Sequence, residues 1–78
     1  MTNLEKYENA FTETFEIGKD KLAALEYQAI PQWDSVGHMT LMAALEDAFD
    51  IMLDTDDIID FSSFEKGKEI LKKYGVEI

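Results

Sequence analysis

The chain has 78 residues, 46% of them hydrophobic, and no cysteine, so a single domain over residues 1–78 must be held by packing, without disulfides or thiolate metal sites. A domain near this size buries only about 60% of the surface its unfolded chain exposes, which leaves little wall for a deep catalytic cleft. Seventeen Asp and Glu against seven Lys and no Arg give a net charge of −10, a surface that repels nucleic acid and anionic lipid and favours partners with basic patches.

Thr2-Asn3-Leu4-Glu5 fits a capping box, in which hydroxyl and carboxylate satisfy the first free N–H groups of a helix. Leu4, Tyr7, Phe11 and Phe15 follow at three- and four-residue spacing and give one apolar face; Gly18 is the expected left-handed stop. Residues 19–34 lack a sustained period. Leu22, Leu25, Ile30 and Trp33 supply anchors there, Lys21 to Leu25 suggest a helical turn or two, and Pro31 turns Ile30 away from helical geometry. A loop this long in a small domain is usually functional or pinned by its own side chains.

Asp34-Ser35 offers two strong N-caps for the next helix. That helix is expected to run to about Asp50, with Met42, Leu45, Phe49 and Met52 along one stripe, Leu41 beside it, and Gly37 weakening it near the start. Asp54 to Asp57 cap a short turn containing Ile58 and Ile59. Ser62-Ser63-Phe64-Glu65 reads as a second capping box; behind it Phe64, Gly67, Leu71 and Tyr74 share a face flanked by Ile70, and Gly75 ends the helix. No strand alternation competes. The expected fold is all-α: a four-helix bundle with a long loop after helix one and a short third helix. No apolar run approaches the ~20 residues of a membrane span and no signal-peptide pattern opens the sequence, so a cytoplasmic chain without membrane insertion is expected. The high charge and the shortage of long exposed apolar stretches point to a monomer.

Three readings compete for the residues that could carry chemistry. Ser35 and His38, at i and i+3 on a helix start, could approach each other as nucleophile and base. However, the G-x-S-x-G elbow is absent, since Trp33 stands at its first glycine, and an exposed His with no catalytic partner is the simpler account. A calcium loop counted from Asp54 puts Asp56 at position three and Glu65 at twelve, but Ile58 and Ile59 fall where a side-chain oxygen and a glycine are needed. No metal site is expected.

The third reading rests on Asp34-Ser35-Val36, which resembles the Asp-Ser-Leu attachment motif of acyl carrier proteins. The resemblance extends through Ser35-Val36-Gly37-His38-Met39-Thr40-Leu41-Met42-Ala43-Ala44-Leu45-Glu46-Asp47-Ala48-Phe49-Asp50-Ile51, similar to the second helix of that family nearly throughout. Trp33 precedes the motif as in several branches, and the order helix, long loop, helix, short helix, helix covers the whole chain.

The resemblance implies a carrier without catalysis of its own. A phosphopantetheinyl transferase would attach 4′-phosphopantetheine from coenzyme A to Ser35, and acyl intermediates would ride on the arm as thioesters. Asp34 would position metal and coenzyme during that transfer as well as capping the helix. Val36, Met39 and Ala43 would be apolar docking contacts for acyl-loading and acyl-using enzymes, with Glu46 and Asp47 meeting their basic side chains. Leu41, Met42, Leu45, Ile58 and Ile59 would line an acyl cavity; the same residues suit any four-helix core. Val36 stands where Leu is commoner. Gly37, Thr40 and Ala48 occupy places often acidic in the carriers of housekeeping fatty-acid synthesis, which suggests a specialised pathway as well as or instead of that one. A peptidyl or aminoacyl carrier of the same fold and an unmodified helical adaptor are the alternatives.

Overall fold

The computed structural model describes all residues, Met1–Ile78. Four α-helices follow one another: α1 (Asn3–Phe15), α2 (Ser35–Phe49), α3 (Thr55–Asp60) and α4 (Phe64–Lys72), with a single 3₁₀ turn at Lys19–Lys21 between the first two. There is no β-strand, and the only β-type pairing is an isolated bridge between Glu26 and Ser63.

The capping box forms at the start of α1. Glu5 N–H donates to Thr2 Oγ1 at 3.1 Å and Thr2 N–H donates to Glu5 Oε1 at 3.0 Å. The Thr2 N–H first, and the Thr2 hydroxyl second, hold the Glu5 carboxyl below its ordinary pKa. Tyr7, Ala10, Phe11 and Phe15 form the buried face, whereas Leu4 is exposed. The left-handed stop falls at Glu16 (φ 56°), two residues before Gly18, which is extended at φ −78°. Turning at Glu16 brings Ile17 back against the core, the hydrophobic contact that accompanies such caps.

The long connection is pinned at several points. Leu22, Leu25 and Trp33 are buried. Tyr27 N–H donates to Ser62 O and Phe64 N–H donates to Leu25 O, both at 2.9 Å, tying the loop to the α3–α4 junction. Gln28 takes a left-handed conformation (φ 66°) and donates its N–H to Trp33 O at 3.0 Å. The expected helical turns at Lys21–Leu25 do not form; a 3₁₀ turn over Lys19–Lys21 and a tight turn closed by Leu25 N–H to Leu22 O at 2.9 Å stand there instead.

Helix α2 ends at Asp50, left-handed at φ 53°. The apolar stripe therefore does not reach Met52, which is 85% exposed, and Leu53 enters the core instead. Helix α4 begins one residue later than the sequence suggested. Ser63, not Ser62, is the N-cap, its Oγ accepting from Lys66 N–H at 2.9 Å. The bridge to Glu26 keeps Ser63 extended, and that fixes where the helix can start. Gly67 lies against Tyr7 and Phe61, and a Cβ there would overlap both rings, so α4 sits closer to α1 than any larger residue allows.

The core is largely aromatic. Phe11 packs against Tyr7, Phe15, Trp33, Phe61 and Phe64, with ring centroids 5.0 to 6.2 Å apart. The Tyr7 hydroxyl donates to Phe64 O at 2.6 Å. Burial, reinforced by the Glu65 charge, pushes its pKa far above the ordinary phenol range.

Candidate functional site

Ser35 is the first residue of α2 and is exposed, as is its N-cap Asp34. Asp34 Oδ1 accepts from Gly37 N–H at 2.8 Å, and Asp34 O accepts from His38 N–H at 2.8 Å. The N–H groups of Ser35 and Val36 have no partner within the chain, as expected at a helix start, and no acidic residue stands in the first turn. The environment of the Ser35 hydroxyl thus suits an attached anion.

Gly37 has a steric explanation. A Cβ at this position would overlap the Gln32 carbonyl and press on Phe15. Gln32 is in turn held by its Nε2, which donates to Phe15 O at 3.2 Å. The loop before Asp34 therefore lies directly on the first turn of α2, and the missing acidic side chain follows from close packing.

His38 is half-buried, not exposed as the sequence suggested. Trp33 Nε1–H donates to His38 Nδ1 at 2.9 Å, and His38 Nε2 lies 2.7 Å from Ile58 O. An indole nitrogen only donates and a carbonyl only accepts. The ring is therefore neutral, bare at Nδ1 and protonated at Nε2. Both nitrogens are engaged, which leaves no lone pair to take a proton from Ser35. The nucleophile–base pair suggested by i, i+3 spacing is not assembled.

Beside Ser35 lies a groove of about 310 Å³ between α2, α3 and the long loop. Ser35 and Met39 line it from α2, Ile58 and Ile59 from α3, and Tyr27 from the loop. Half-buried His38 and buried Phe61 lie deepest. Of the five residues expected to line a cavity, Ile58 and Ile59 do so. Leu41, Met42 and Leu45 instead fill the core at no more than 1% exposure. Tyr27, His38 and Phe61 carried no signal for this role: two lie outside any helical period, and His38 read as a surface residue. A second cleft of similar size, between Lys6–Glu13 and Ala44–Ala48, lies toward the other end of α2 and is more polar.

Of the expected docking residues, Val36 and Met39 are 74% and 54% exposed, and Ala43 and Asp47 are also on the surface. Glu46 differs. It is half-buried, and its Oε2 accepts from Leu53 N–H at 2.9 Å, closing the turn after α2. Asp54, Asp56 and Glu65 do not converge, and no group of three or more His, Asp or Glu is spaced to hold a metal ion. No helix is long and apolar enough to cross a membrane.

Helix α3, which supplies one wall of the groove, is fastened at its back. The Asp57 carboxylate accepts from Lys73 Nζ and from Tyr74 OH, both at 2.5 Å. The Tyr74 oxygen also accepts from Asp54 N–H at 2.9 Å. The Lys73 bond first, and the Tyr74 bond second, hold the Asp57 carboxyl below its ordinary pKa. The same Asp57 bond raises Lys73.

No family model, curated protein or solved structure matches this chain.

Proposed function

We propose that the chain is a carrier of the acyl-carrier type, modified on Ser35 with 4′-phosphopantetheine, and that it has no turnover of its own. The observation that carries this reading is the setting of Ser35: an exposed hydroxyl on the first residue of a capped helix, beside two unpaired N–H groups and on the edge of an apolar groove. A phosphodiester fits there, because the helix start is electropositive and, with the Asp34 carboxylate spent on Gly37 N–H, the N–H groups of Ser35 and Val36 stay free. Attachment joins Ser35 Oγ to the phosphorus of the arm, with loss of the hydroxyl proton and of adenosine 3′,5′-bisphosphate from coenzyme A. When bound, the arm supplies a terminal thiol that carries acyl groups as thioesters.

The chain's own residues do the rest. Asp34 is exposed and caps α2 through Oδ1, while its second oxygen makes no hydrogen bond within the chain and can help orient the metal and coenzyme brought by the transferase. Val36, Met39 and Ala43 present an apolar strip along α2, with Asp47 beside it, and this is the surface offered to partner enzymes with basic patches. Glu46 takes a smaller part, since one of its oxygens is spent on Leu53. The protein acts as a cytoplasmic monomer in acyl transfer for a specialised pathway.

The test is intact-mass spectrometry after incubation with coenzyme A and a broad-specificity phosphopantetheinyl transferase. The carrier reading requires a gain of one arm on the native chain and none on Ser35→Ala.

A further inference from the structure

We propose, building on the carrier reading above, that His38 sets the depth of the groove beside Ser35 and so restricts what lodges there to a short acyl group. The groove has a direction. Met39 and Ile59, 54% and 72% exposed, stand at its open side with Ser35, while Phe61 at 1% and half-buried His38 close its inner end. None of its lining side chains is charged, so a neutral aliphatic occupant suits it and an anionic one does not. The tether on Ser35 decides what that occupant is: a group attached at the rim is held at high effective concentration over the groove.

The inner end cannot yield easily. A methionine there would rotate aside, but the His38 ring is fixed at both nitrogens, by Trp33 Nε1–H and by Ile58 O. Fully buried Trp33 lies edge to edge with it, nearly coplanar at 15° and with ring centroids 6.2 Å apart. Phe61 meets it edge-on at 6.2 Å, with Phe11 stacked 6.2 Å behind Phe61. The way from groove to core is filled with rings. A chain reaching Met42 or Leu45 would have to break both His38 bonds and part those rings. The groove's volume of about 310 Å³ is at the low end of the ~300–1,000 Å³ common for ligand pockets.

The experiment loads the apo protein directly from acetyl-, butyryl-, octanoyl- and dodecanoyl-coenzyme A with the same transferase, checks each product by intact mass, and follows side-chain NMR signals. The ratio of lodged to free arm, read from the Ile58 and Met39 methyl shifts, should rise from acetyl to butyryl by about fourfold per methylene, from ~0.8 kcal/mol per buried CH₂. It should then level off, with octanoyl and dodecanoyl giving the same shifts and the Trp33 Nε1–H signal unmoved. In His38→Ala, dodecanoyl should reach the Met42 methyl. His38→Gln, which keeps a donor for Ile58 and an acceptor for Trp33, should retain the native limit, and His38→Met, whose side chain rotates aside, should lose it and decides the matter if His38→Ala fails to fold. The inference is overturned if dodecanoyl moves Met42 and the Trp33 Nε1–H signal in the native chain, or if a loaded arm leaves Ile58 and Met39 unmoved for every chain length. No mass gain at all would overturn the carrier reading, and this inference with it.

Discussion

Gly37 shows how a single residue can be read two ways. By helix propensity, an alanine there should stabilise α2 by about 1 kcal/mol. Because a Cβ would strike the Gln32 carbonyl, Gly37→Ala should instead lower stability by more than about 1 kcal/mol, as measured by urea denaturation; a gain would show that the loop gives way freely. From the sequence, the absence of an acidic side chain at this position resembled a change of partner. The packing of residues 28–33 against α2 was not legible there, because it depends on a loop with no period. Ser35 and Asp34, by contrast, were legible, since a helix start is encoded in its own few residues. His38 was not: what engages its ring is a tryptophan five residues back and a carbonyl twenty residues on, and no spacing rule reports either.

Among the elements, α3 depends most on tertiary contacts. It has six residues, and its N-cap Asp54 makes no side-chain cap bond, so its position is set by the Asp57–Lys73–Tyr74 cluster and by His38. Asp57 has a lowered pKa, so its contribution to stability is complete above the ordinary carboxylate range and is lost as pH falls through the lowered value. Lys73 has a raised pKa, so its share is complete below the ordinary lysine range and is lost as pH rises through the raised value. Thermal melting from neutral pH to below about pH 4 should fall more steeply for the native chain than for Asp57→Asn, which is less stable at neutral pH but lacks this titration. Equal slopes would mean that the cluster does not hold α3. The order of the helices was legible because α1, α2 and α4 carry their own capping side chains and apolar faces, while the run Asp54–Asp57 marked the start of α3. The boundaries that moved, at Glu16 and Ser63, are those fixed by contacts with distant residues: Ile17 against the core, and the bridge from Glu26.

At the scale of the molecule, a dense aromatic core works against a large negative charge. The Cα radius of gyration is 11.2 Å, close to the ~11.5 Å expected for a folded chain of this length, so the long connection is gathered into the body and not extended from it. Seventeen carboxylates facing seven lysines repel one another across that small surface. Raising salt from about 10 mM to about 0.15 M shortens the screening length from roughly 30 to 8 Å and should raise the melting temperature; a decrease would show that attractive pairs outweigh the repulsion. Only three ion pairs lie within reach, and one of them spans 3.9 Å. The charge was plain in the sequence. The closure of the interior by Trp33, His38 and Phe61 was not, and it moves the candidate cavity from between the core aliphatics to the surface beside Ser35.

Whether Ser35 is an attachment point is decided most directly by intact mass. Native chain, Ser35→Ala and His38→Ala are each incubated with coenzyme A and a broad-specificity phosphopantetheinyl transferase. A gain of one phosphopantetheine on the native chain and on folded His38→Ala, with none on Ser35→Ala, is the predicted result. An unchanged native mass with several transferases, or an equal gain on Ser35→Ala, would contradict it.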